Sequence, residues 1–141
     1  MAVAARFLID TSAAARMRTP IVANKLSALV NAGLVGTTAV LDAEALHAAR
    51  SPGEYEQLRI ARHSAYEYLP TNDHHWRSAL DAQRQLAAIG ELHKVGYADL
   101  LTAVIAAEHD LTVVHYDAGF DTAATVLDFK HEWVAPKGQI P

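Results

Sequence analysis

The chain reads as an α/β protein: three layers, helices on both faces of a mainly parallel sheet. Three observations carry that expectation. Short apolar runs alternate with helical stretches along the whole length, the pattern of βαβ units. The strand-like runs are apolar nearly throughout, as strands buried on both faces are. No repeat and no linker interrupts the 141 residues, so a single domain over 1–141 is expected, with 135–141 as a C-terminal tail.

Arg6 to Ile9 is the first strand. The alanine-rich stretch from Thr11 to Met17 follows as a helix, which Asp10, Thr11 or Ser12 can cap. Pro20 can open a second helix, with Ile21, Leu26, Leu29 and Val30 on its apolar stripe and Gly33 ending it. Leu34 to Thr38 is the second strand, and the helix after it runs to Ala49 and carries Asp42 and Glu44. Ser51-Pro52 breaks that helix, and Ser51 with Glu54 forms a capping-box pattern for a helix reaching about Ser64. Tyr66 to Leu69 is a third strand, stopped by Pro70. Asn72 or Asp73 caps a long amphipathic helix with Trp76, Ala79, Leu80, Leu86 and Ala87 on its stripe, which Gln83 interrupts and Gly90 closes. Glu91 to Gly96 is a loop, and a helix runs from Tyr97 to Glu108. Leu111 to Val114 is the fourth strand. A short helix starts near Phe120, and Glu132-Trp133-Val134 suits an edge strand.

Composition excludes several chemistries. With 51% hydrophobic and 20% charged residues the chain is globular. It has no cysteine, so disulfides, thiolate catalysis and cysteine-held zinc are ruled out, in keeping with a cytoplasmic setting. The stretch from Met1 to Arg6 lacks signal-peptide features, and no apolar run nears the ~20 residues that span a bilayer. Twelve Lys and Arg against sixteen Asp and Glu give a net charge of −4. That argues against tight nucleic-acid binding by bulk charge and leaves room for a local basic patch or a basic protein partner.

Acids stand where open α/β sheets place their sites, beyond the carboxyl ends of strands. Asp10 follows the first strand and Asp117 the fourth; Asp99 sits in the first turn of an apolar helix. Each has an ordinary alternative, as helix cap, turn residue or macrodipole partner. Converging carboxylates repel, and a hard divalent cation such as Mg²⁺ or Mn²⁺ removes the repulsion and can serve phosphodiester cleavage. Asp42 and Glu44 lie on one helix, two residues apart and on different faces, and periodicity does not choose between them.

Four stretches in order resemble the motifs of PIN-domain ribonucleases: Leu8-Ile9-Asp10-Thr11-Ser12-Ala13, Glu44-Ala45-Leu46, Ala98 to Ala107, and Val113 to Phe120. The length and the Asp-Thr-Ser-Ala start are most similar to VapC toxins of bacterial toxin–antitoxin pairs. The resemblance implies a PIN-like three-layer domain and a Mg²⁺- or Mn²⁺-dependent endoribonuclease, homodimeric and restrained by a VapB antitoxin. It implies Asp10, Glu44, Asp99 and Asp117 as the acidic quartet, the three aspartates as metal ligands, and Ser12 as the supporting hydroxyl. It also favours Glu44 over Asp42. His115 stands where the family usually has Thr or Ser, and Gly119 where it often has an acid; Asp121 is a nearby substitute.

The remaining polar residues divide as follows. Arg16, Arg18 and His115 are candidates for RNA contact, with Lys25 near the first two; the alternatives are a solvated face and, for His115, packing. His93 and Lys94 are expected to be solvated. His74 and His75 are adjacent on a helix and do not converge, so a surface role is expected. Tyr66, Tyr68, Trp76 and Trp133 are expected in the core or a dimer interface. Aspartyl-phosphate chemistry fits poorly, because position 12 is serine and no lysine follows the fourth strand before Lys130. The alternatives that remain are a non-catalytic binding module of the same fold and another metal-dependent phosphodiesterase.

Overall fold

The computed structural model describes residues 2–141; Met1, part of the expected single domain and of the segment read for a signal peptide, lies outside them. In chain order the elements are β1 (Phe7–Ile9), α1 (Thr11–Ala14), α2 (Pro20–Asn31), β2 (Val35–Thr37), α3 (Ala39–His47), α4 (Pro52–Ala65) and β3 (Glu67–Tyr68). There follow α5 (Asp73–Ala88), a 3₁₀ turn (Leu92–Lys94), α6 (Tyr97–Glu108), β4 (Thr112–His115), α7 (Gly119–Ala123) and β5 (Lys130–Trp133). Among the described residues no helix is long and apolar enough to cross a membrane.

Every strand pairing is parallel, in the order β3-β2-β1-β4-β5. The chain leaves β1 toward β2 and β3, then returns to the other side for β4 and β5. The order reverses between β1 and β4, which opens a crevice at their carboxyl ends. Asp10 is the residue after β1, and Asp117 lies two residues beyond β4.

The period of two along the strands builds a core on each face. Leu8 and Val113 point into one with Leu41, Leu86, Leu101, Ile105 and Phe120. Phe7, Ile9 and Val114 point into the other with Ala13, Val22 and Leu26. These two cores make the three layers expected from the sequence.

Several boundaries move. The α1 helix stops at Ala14, and a 3₁₀ turn occupies the expected loop after Gly90. In α2 the buried pair is Val22 and Leu26, while Ile21 is exposed. In α5 the buried stripe is His75, Ala79, Ala82 and Leu86, so Trp76 and Leu80 face outward. Ala82 fills the position that Gln83 was expected to interrupt. Residues 136–141 do not trail free: Ile140 packs against the smaller core, and its backbone exchanges hydrogen bonds with the Tyr116 hydroxyl.

Candidate active site

Asp10 does two jobs with two oxygens. It is the N-cap of α1, and Oδ2 accepts hydrogen bonds from the Ser12 backbone N–H (3.0 Å) and hydroxyl (2.6 Å). Oδ1 is buried and has no hydrogen-bond partner. The cap therefore belongs to Asp10, where capping by Thr11 or Ser12 was an equal expectation, and it leaves one carboxylate oxygen free. An unpaired buried carboxylate oxygen is costly and calls for a cation or a donor. Ser12 in turn accepts from the Tyr116 N–H at 2.9 Å, tying the end of β1 to the end of β4.

The other acids lie within electrostatic reach of Asp10 and of one another. Asp99 lies in the first turn of α6, and its pKa is pushed up to about 7, first by burial and then by Asp10, Asp117 and Glu44. Glu44, on α3, is raised as well, by partial desolvation and then by Asp10. Like charges this close oppose full ionisation, and each alternative source of relief is absent: no Lys or Arg pairs with Asp10, Asp99, Asp117 or Glu44 among the described residues. The donor set is all oxygen, which suits Mg²⁺ or Mn²⁺.

Asp117 is held from two directions. Its Oδ1 accepts from the Gly119 N–H at 2.8 Å, and its own N–H donates to His115 Nδ1 at 3.2 Å. A Cβ at position 119 would lie 3.1 Å from both Asp117 Oδ1 and the Lys94 carbonyl, so only glycine fits without a shift. His115 is fully buried between Phe120, His131 and Trp133. With Nδ1 accepting, Nε2 carries the proton and faces His131 Nδ1 at 2.9 Å. Burial first, and His131 second, push its pKa down to about 4. A ring so enclosed presents nothing to RNA, which corrects the expectation of an RNA contact: His115 positions the Asp117 backbone.

Other candidates are drawn elsewhere. Asp42 Oδ1 accepts from the Thr37 hydroxyl (2.7 Å) and Arg62 Nε (2.8 Å), an internal cluster away from the other acids, whereas Glu44 is within electrostatic reach of Asp10. Asp121 accepts from the Trp133 indole (3.2 Å) and lies near Lys137, so it does not replace an acid of the centre. Arg16 spends its donors on the Pro141 carbonyl (2.7 Å) and the Ser12 carbonyl (2.5 Å), with its guanidinium over the Tyr116 ring. Arg18 is exposed, and Lys25 pairs with Glu132 at 3.2 Å. Tyr68 and Trp76 are exposed and not in the core, the first of the two places expected for them, because their neighbours Leu69 and His75 take the inward positions.

His74 and His75 do converge, contrary to expectation. They meet on the carboxylate of Glu108 at the far end of α6, His74 Nε2 at 3.0 Å from Oε1 and His75 Nε2 at 2.6 Å from Oε2. The pattern along α5 alone does not show the two-oxygen acceptor that α6 presents to both rings. The three ligand atoms lie within 4.8 Å of one another, near enough for one ion. The tautomer argues otherwise. His75 Nδ1 accepts the Asn72 N–H at 2.9 Å, so Nε2 holds the proton and donates to Glu108, leaving no lone pair for a metal.

Sequence reasoning passed over Tyr97 and His47. Both line a cleft of about 480 Å³ whose wall includes Glu44. The available signal was position: Tyr97 is two residues before Asp99, and His47 is three after Glu44.

The comparisons with known proteins concern the fold and the family. The PIN domain model matches residues 7–126, and the chain belongs to the PIN-domain family. Within it, the chain is 37% identical to Ribonuclease VapC51 of Mycobacterium tuberculosis, an alignment spanning 97% of this chain and 98% of the relative. It is 35% identical to Ribonuclease VapC21 of the same organism, over 94% of this chain and 96% of the relative. Among solved structures, a DNA-bound VapBC from Salmonella typhimurium shares the fold with a TM-score of 0.72 at 15% identity, covering 93% of this chain and 99% of that one.

Proposed function

We infer that this PIN domain is an endoribonuclease of the VapC type, the toxin of a toxin–antitoxin pair, working with Mg²⁺ or Mn²⁺ on RNA phosphodiesters. The observation that carries the reading is the buried, unpartnered Oδ1 of Asp10 amid three further acids. Asp10, Asp99 and Asp117 would hold the cation, with Glu44 completing the acidic set. A divalent ion there supplies Lewis acidity toward a phosphodiester and acidity to a nucleophilic water.

The chain's own residues prepare that chemistry. Ser12 locks the Asp10 carboxylate in one rotamer by donating to Oδ2, and so aims Oδ1 at the centre. The Gly119 N–H and the His115 ring fix Asp117. Asp99, with its pKa of about 7 in the metal-free centre, would have to be ionised to hold the cation. His115 keeps its pairing to Asp117, so the departure from the family's usual Thr or Ser still supports the last acid.

The relatives' names support ribonuclease activity, and the VapBC complexes among the structural neighbours support a VapB-type antitoxin as partner. A homodimer, a single domain over 1–141 and a cytoplasmic location complete the reading. The test is cleavage of RNA by the purified protein with Mg²⁺. Cleavage is expected in the wild type, and loss is expected on adding EDTA and in Asp10→Asn and Asp99→Asn with unchanged circular dichroism. Full activity in Asp99→Asn would overturn the assignment.

A further inference from the structure

The aim of Asp10 depends on Ser12, and Ser12 stands in a helix of only four residues, α1. A helix that short does not hold its own geometry in water, so its orientation must be set from outside. One support is the Tyr116 N–H, which donates to Ser12 Oγ at 2.9 Å. A second is the half-buried Arg16, whose Nη1 donates to the Ser12 carbonyl at 2.5 Å. Both supports are bonded in turn to one remote pair of residues.

Arg16 Nε donates to the Pro141 carbonyl at 2.7 Å. The neighbouring Ile140 grips Tyr116. Its carbonyl accepts from the Tyr116 hydroxyl at 2.9 Å, and its N–H donates back to that hydroxyl at 3.1 Å. The Arg16 guanidinium lies 4.5 Å from the centroid of the Tyr116 ring, a cation–π contact that draws the two supports together. The bonds close a circuit: Ser12 to Arg16, to Pro141, through the chain to Ile140, to Tyr116 and back to Ser12. The Ile140 side chain packs on the core that holds Ala13 of α1 and Val114 of β4, so apolar burial seats the pair as well. Ile140 and Pro141 lie outside residues 7–126, the part matched by the PIN domain model.

We propose that residues 140 and 141 are a strap that orients the Asp10 carboxylate through Ser12, with Arg16 and Tyr116 as its positioning residues. With one lone pair of Ser12 Oγ held by the Tyr116 N–H, the hydroxyl hydrogen is directed at Asp10 Oδ2, and Oδ1 is left for the cation. The inference rests on the metal-dependent reading above, because what the strap controls is the aim of Oδ1. Arg16 serves the site from behind, as a brace.

The test uses the full chain with Tyr116→Phe, Arg16→Lys and the two combined, each also in a Ser12→Ala background. Tyr116→Phe keeps the ring and loses the hydroxyl that Ile140 grips. Arg16→Lys keeps the charge and loses the planar fork that spans two carbonyls. Each single variant should weaken Mn²⁺ binding in calorimetry about three- to tenfold, the scale of one hydrogen bond. The combined variant should be no weaker than either alone, because one break opens the circuit. In the Ser12→Ala background the further loss from Tyr116→Phe should vanish, a coupling that packing does not produce. In metal-free protein the amide of residue 116 should exchange with D₂O about three- to tenfold faster in both single variants, with Val113 in β4 unchanged. A Mn²⁺ loss of the same size with and without Ser12 would overturn the proposal. A lower Tm with unchanged Mn²⁺ affinity would overturn it too, and would leave the strap a cover for the core. The two readings fail distinguishably. A wild type that binds no Mn²⁺ removes the metal-dependent reading and the strap's role with it. Mn²⁺ binding that no strap variant changes removes only the strap.

Discussion

At its N-terminal end α6 presents Asp99 to three other carboxylates; at its C-terminal end it presents Glu108 to three histidines. Both ends gather potential metal ligands. At the Glu108 end every charge has an internal answer: His75 and His74 donate to the carboxylate and hold its pKa below the usual range. At the Asp99 end the acids answer one another only with repulsion, and Asp10 Oδ1 has no donor at all. The closer cluster of ligand atoms is thus a tie between α5 and α6, and the unsatisfied one is the centre that calls for a cation. The proposed metal site rests on unsatisfied charge more than on ligand proximity.

The largest effect expected from this contrast is on metal binding. Asp99→Asn should weaken Mn²⁺ binding by more than about 100-fold in calorimetry, exceeding the loss typical of a supporting residue. Glu108→Gln should leave it unchanged. Equal losses in both would erase the distinction between the two ends.

Stability should respond in the opposite sense. Glu108→Ala leaves the buried Nε2–H of His75 without an acceptor and should cost about 1–3 kcal/mol, read as a lower Tm. Asp99→Asn should stabilise the metal-free protein at pH 8, by the order of 1–2 kcal/mol once screening by solvent is allowed for. The folded state holds the Asp99 proton up to about pH 7, whereas the unfolded chain releases it near 3.8. Between those values the folded form binds more protons, so metal-free stability falls as pH rises through the window. Asp99→Asn removes that slope, and the gain over wild type should shrink toward pH 4. Mn²⁺ affinity should rise over the same upper range as the carboxyl ionises.

A smaller effect separates support from ligation. Ser12→Ala keeps all four acids and loses the hydroxyl joining Asp10 to Tyr116; Mn²⁺ affinity should fall about 10- to 100-fold. No change on calorimetry would mean that the backbone cap alone aims Asp10.

The layers, and the positions of Asp10, Asp99 and Asp117 beyond strand ends and in a helix's first turn, were legible in the sequence because local patterns determine them. An apolar strand followed by an acid reads as a strand meeting a crevice, directly at Asp10 and two residues past the strand at Asp117. Glu44 was different. It differs from Asp42 by two positions on α3, and what separates them is Arg62, twenty residues further on, which claims Asp42 with Thr37. His75 was illegible for the same reason, since its acceptor lies 33 residues away. Arg16 bonds to residue 141, a contact 125 residues distant. Periodicity along one element cannot report such partners.

The central claim, that a divalent cation sits among the acids at the Asp99 end, is tested most directly by paramagnetic broadening. Substoichiometric Mn²⁺ is added to ¹⁵N-labelled protein and amide signals are followed by NMR. The signals of Asp10, Thr11, Ser12, Asp99 and Asp117 should vanish first, while those of His75 and Glu108 persist. Broadening centred on His74, His75 and Glu108, or none at any amide, would contradict the account.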